Sequence, residues 1–105
     1  MTNYHVLREF DTGVTRAELD EAVDRSRAAV EEMRGEGIGI AYIGSQVFDG
    51  EDGLARATMC RYDAPSEADV RDHSERAKLP LSSVFVTGTP LDGIAPESGV
   101  AMKAA

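Results

Sequence analysis

The chain holds one cysteine, two histidines and no tryptophan among its 105 residues. A single thiol, Cys60, excludes an intrachain disulfide. Three Cys and His residues in all are too few for the regular ligand sets of a structural zinc site within one subunit. Basic residues are also scarce: 11 Lys and Arg against 19 Asp and Glu leave a net charge of −8. A chain of that sign repels the phosphate backbone, so nucleic acid is excluded as a partner. An anionic membrane surface is disfavoured for the same reason. No apolar run approaches the ~20 residues of a spanning helix. The opening MTNYHVLREF has neither the charged nor the apolar region of a secretory signal. A cytoplasmic location is therefore expected.

What is present is ordinary for one globular domain: 42% hydrophobic and 29% charged residues. Residues 1–87 carry the pattern of a folded domain, and residues 88–105 are expected to form a loosely ordered C-terminal tail docking through Leu91 and Ile94. Tyr4, Val6, Leu7 and Phe10 predict a first strand, broken at Asp11-Thr12-Gly13. Thr15 and Glu18 form a capping-box signature. After it, Leu19, Ala22, Val23, Ser26, Val30 and Met33 recur at helical spacing, until Gly35 and Gly37 end the helix. Residues 38–48 alternate as a strand, with Gly44 marking a bulge or a close contact. A polar turn at 49–53 leads into a strand from Leu54 to Tyr62, which completes a hairpin. Ser66 is an N-cap, and Asp69 places negative charge in the first turn of a second helix. That helix runs to about Ala77, with Pro80 at its exit. Ser83 to Thr87 is the last strand.

The order β-α-β-β-α-β predicts an α+β, ferredoxin-like arrangement: a four-stranded antiparallel sheet with both helices on one face. Several strands are apolar on both faces, as Val6 beside Leu7, Tyr42 beside Ile43 and Val84 beside Phe85. The uncovered face would leave an apolar patch in water. A homodimer joined through the sheets is expected, as in proteins of the dimeric α+β type.

Val70, His73, Ser74 and Ala77 are spaced i, i+3, i+4, i+7, which puts His73 on or beside the inward stripe of its helix. Two readings stand: a partly buried histidine bonded to a neighbour, or a metal ligand or acid/base group in a cleft. Asp69 is four residues earlier on the same helical face and could orient or share a metal with His73. His5 lies on the first strand and faces away from Tyr4 and Val6. Cys60, within a strand, reads as a small apolar filler. The glycines at 35, 37 and 39 match no phosphate loop.

The segment Cys60-Arg61-Tyr62-Asp63-Ala64-Pro65, followed by His73 and Leu79-Pro80, resembles a family of small bacterial proteins labelled nickel-binding-protein-like. That family's pattern is Cys-x-Tyr-Glu-Ala-Pro, a helix containing a His, and Gly-x-Pro near its exit. Here Asp63 stands for the Glu and Lys78 for the glycine. Arg8-Glu9-Phe10, Gly13-Val14-Thr15 and Glu18-Leu19 are similar to the family's first strand and helix start. The resemblance implies a ferredoxin-like fold, a dimer, and nickel or another divalent metal as ligand.

Two functions are thus in view. One is a metal-binding or sequestering dimer using His73 and His5 with Asp69 or Asp72 in support, since imidazole and carboxylate suit borderline divalent ions. The other is a cofactor-free enzyme or carrier of a small apolar molecule. Its cleft would hold the ligand among Tyr42, Met59, Tyr62 and Phe85, with His73 as catalytic acid or base.

Overall fold

The structure is a computed structural model and describes residues 1–93. Its elements are β1 (Thr2–Val14), α1 (Arg16–Gly35), β2 (Ala41–Asp49), β3 (Ala55–Ala64), α2 (Glu67–Arg76) and β4 (Ser83–Val86). The strands form a single antiparallel sheet of order β2-β3-β1-β4. Each helix connects an edge strand to a central one, which is the ferredoxin-like α+β topology expected from the sequence.

Residue parity decides what each face of the sheet carries. Tyr4, Val6 and Arg8 of β1 lie opposite Tyr62, Cys60 and Thr58 of β3, and all six are buried. Against them pack Ser26, Ala29 and Met33 of α1 and Val70, His73 and Ser74 of α2, also buried. The other face presents Leu7 opposite Met59, His5 opposite Arg61, and Phe85 beside His5. Phe48 and Phe85 there are 48% and 50% exposed.

Local chemistry sets the helix limits. The Thr15 side chain accepts from the Glu18 amide while Glu18 accepts from the Thr15 amide, a complete capping box. At the other end of α1 the Ile38 amide donates to Met33 and the Gly37 amide to Arg34, with Gly37 at φ +87°. This is a Schellman closure, and it explains why β2 starts at Ala41 and not at Ile38. The Ile38 amide is spent on the helix end, and Ile40 turns fully inward. α2 ends in the same way: Leu79 donates to Ser74 and Lys78 to Glu75. The left-handed position is held by Lys78 at φ +55°. The Arg25 guanidinium donates to the Ala77 carbonyl, and Arg76 spans from Asp72 to Glu32 and Glu36 on α1. These contacts fix α2 against α1.

The register slips between Tyr42 and Gly44, so β2 carries a bulge there. Nothing lies within 4 Å of the place a Gly44 side chain would occupy, so no close approach calls for glycine there. β1 runs longer than its apolar pattern and loses register with β3 between Glu9 and Val14. Leu91 is 98% exposed, and Ile94 lies outside the described residues. Lys78→Gly should raise the unfolding free energy by about 1 kcal/mol, because glycine adopts the left-handed conformation without a Cβ clash. Urea denaturation of the two proteins checks this; a lower midpoint for the variant contradicts it.

Candidate functional site

Arg8 follows Tyr4 and Val6 at two-residue spacing, so the pleat turns a guanidinium into the core. The residue is 1% exposed. Nη1 donates to Ser74 Oγ at 2.9 Å and to the Pro80 carbonyl at 2.8 Å. Nη2 donates to the Tyr62 hydroxyl at 3.2 Å, and the Tyr62 ring lies 5.9 Å below the guanidinium carbon. Nε is buried without an acceptor.

The network continues through Tyr62 Oη to Ser26 Oγ at 3.3 Å, and from Ser26 to His73. His73 Nε2 lies 3.1 Å from the Ser26 carbonyl. A carbonyl only accepts, so Nε2 carries the proton, and Nδ1 is left buried with no partner. The imidazole is tilted against the Tyr62 ring at 4.7 Å between centroids. Burial pushes the His73 pKa below its usual 6.5, the Ser26 carbonyl pulls the other way, and repulsion from Arg8 adds to the lowering. Burial likewise pushes the Tyr62 phenol up, opposed by Arg8. Both groups are therefore neutral at pH 7.

Above this network lies a cavity of about 120 Å³ between α1 and the sheet. α1 contributes Leu19, Ala22, Val23 and Ser26; the strands contribute Phe10, Tyr42, Val47, Thr58, Cys60 and Tyr62. Leu79 closes one side, and Arg8 forms part of the wall. Arg16 and Asp20, an exposed pair 3.2 Å apart, stand on its rim.

The structure brings together only part of the set expected from the sequence. Tyr42 and Tyr62 share the cavity, with rings 5.4 Å apart. Met59 and Phe85 do not join them. Met59 is an odd number of residues from Tyr62, and Phe85 pairs with His5, so both fall on the uncovered face. His73 is fully buried behind Tyr62 and Ser26 and is not part of the cavity wall. His5 sits across the sheet, its Nδ1 2.6 Å from Thr87 Oγ1. Asp69 is engaged at the α2 N-terminus, where it accepts from the Ser66 hydroxyl. The three candidate metal ligands therefore lie in three separate places. Arg8 and Ser26 were absent from the expected set, although strand parity and the helical stripe point both of them inward.

These features define a ferredoxin-like α+β protein with a cavity on its helix-covered side that opens to solvent past Arg16 and Asp20. A family model described as "Nickel responsive protein SCO4226-like" matches residues 4–86. The chain belongs to that family. Among solved structures, SCO4226 from Streptomyces coelicolor A3(2) superposes with a TM-score of 0.67 at 13% identity, covering 85% of this chain and 99% of that one. At such identity the likeness concerns the fold. Rv0793 from Mycobacterium tuberculosis covers 90% of this chain and 100% of its own at 15% identity, with a TM-score of 0.31. A search of curated proteins found no match.

The family description raises nickel. Among the described residues, no three His, Cys, Asp or Glu side chains are grouped so as to hold a metal ion. The described donors of this chain therefore do not fit an enclosed metal centre.

His73 gives a signed pH dependence. The unfolded chain binds its proton near pH 6.5 and the folded chain only at lower pH. Stability should therefore fall as pH drops through about 6.5 and flatten below the folded value. In His73→Gln that part of the slope should vanish in urea-unfolding free energies measured from about pH 7.5 down to about pH 5. An unchanged slope in the variant contradicts the assignment.

Proposed function

We propose that this chain works as a homodimer that binds a small, largely apolar molecule in the cavity beneath α1. The observation that carries this reading is the cavity itself. Its walls are mostly carbon, supplied by Phe10, Leu19, Ala22, Val23 and Val47, with a few polar groups among them. That is the composition of small-molecule sites in general.

Binding fits the geometry better than catalysis. His73 meets the cavity only through Tyr62 and Ser26, and its depressed pKa removes it as an acid at neutral pH. Tyr62, raised by burial, stays protonated and is a weaker acid than an ordinary phenol.

The dimer reading rests on the uncovered face of the sheet. Leu7 and Met59 lie side by side at its centre, flanked by Phe48 and Phe85, each about half exposed. A second copy of the chain, laid face to face, would remove this surface from water. A second reading, nickel or another divalent ion, is supported by His5 on that same face. Its Nδ1 is oriented by Thr87, which leaves Nε2 for a metal completed by groups of a second copy.

Titration of toluene into the protein should shift the methyl resonances of Leu19, Val23 and Val47, and Ala22→Phe should abolish the shifts. Unperturbed methyls at saturating toluene would exclude the carrier role. In sedimentation, the protein should be dimeric at micromolar concentration and Leu7→Glu monomeric; a monomeric parent protein would exclude the sheet-to-sheet assembly. Isothermal titration with Ni²⁺ decides the second reading, which requires heat that disappears in His5→Ala.

A further inference from the structure

Arg8 is the largest fully buried side chain, and its charge has no counter-ion within the described residues. Its three hydrogen bonds go to a serine hydroxyl, a main-chain carbonyl and a phenol, all neutral. The ion pairs of the described chain belong to Arg16, Arg56, Arg71 and Arg76. Asp72, the carboxylate on the neighbouring helix, is taken by Arg76. Neither Tyr62 nor His73 supplies a negative charge. A guanidinium is always protonated, and buried charges are as a rule paired.

The unused donors have a defined geometry. Nε–H has no acceptor, and of the five guanidinium hydrogens only three are committed. Nε and Nη2 share the side-on edge of the group, the fork that matches the two oxygens of a carboxylate. Arg8 is also part of the cavity wall, opposite the apolar side chains of α1.

From this juxtaposition we infer that the molecule held in the cavity is a small carboxylate with an apolar body, its anionic group received by Arg8. The inference rests on the cavity being a ligand site and names the class of ligand. Size narrows the class further. A cavity of about 120 Å³ is close to the ~150 Å³ apolar cavity that admits benzene in an engineered protein. A single ring or a short branched alkyl chain fills this volume, and the opening past Arg16 and Asp20 leaves a longer body room to extend outward. The net charge of −8 repels anions at long range, so selection depends on the desolvated contact with Arg8 and not on steering.

Benzoate, benzamide and toluene titrated into the full chain, read at the methyl groups of Leu19, Val23 and Val47, test the inference. Benzoate should bind roughly tenfold or more tightly than benzamide, the margin of a hydrogen bond to a charged group. Arg8→Lys should narrow that margin, because a point charge replaces the fork. The comparison within the parent protein stands alone if that variant does not fold. Benzamide or toluene binding as tightly as benzoate would overturn the carboxylate assignment and leave the apolar carrier intact. Binding of none of the three would overturn both.

Discussion

The fold is organised around one buried guanidinium. Arg8 leaves the central strand β1 and reaches three other parts of the chain: α2 through Ser74, the connection after α2 through the Pro80 carbonyl, and β3 through Tyr62. Tyr62 passes the connection to Ser26 on α1, and Ser26 to His73 on α2. A single polar thread therefore ties both helices to both central strands. In a low-dielectric interior each such bond is stronger than in water, and each unmade one is costly. Moving either helix would break bonds among buried groups.

The same thread determines what the cavity can be. An apolar space over an apolar floor would be a packing defect in a core otherwise built around Val6, Met33, Ile40 and Val70. Here the space borders a fixed cation, a phenol and a serine hydroxyl. Those groups are held by partners on the far side, so their orientation does not depend on what occupies the cavity. Preorganisation of this kind reduces the entropy cost of binding. His73 contributes as a spacer: neutral, fully enclosed and leaning on Tyr62, it holds the phenol in place.

Much of this was legible in the residues. Thr15 and Glu18 announced α1 because a capping box needs only local chemistry. Val70, His73, Ser74 and Ala77, spaced along one helical face, are all buried. Gly44 did mark a bulge. The order of elements implied the sheet. What was not legible has physical reasons. Met59 and Phe85 are apolar and close in sequence to inward residues, but parity sends them to the other face, so hydrophobicity alone misassigned them. Arg8 reads as a solvated strand residue by type, and only its alternation with Tyr4 and Val6 places it inside. The start of β2 depended on the fate of one amide, that of Ile38, which the helix end consumes. The separation of His5, Asp69 and His73 is a long-range fact of topology that spacing within one helix does not contain.

The two edges of the sheet differ from its centre in one respect that bears on how the protein behaves when crowded. β2, at one margin, is interrupted at Gly44; β4, at the other, is only four residues long. Neither margin offers a long, flat row of free amides and carbonyls on which a neighbouring chain could template itself. Ribbon-like growth into fibrils is thereby discouraged at both ends of the sheet.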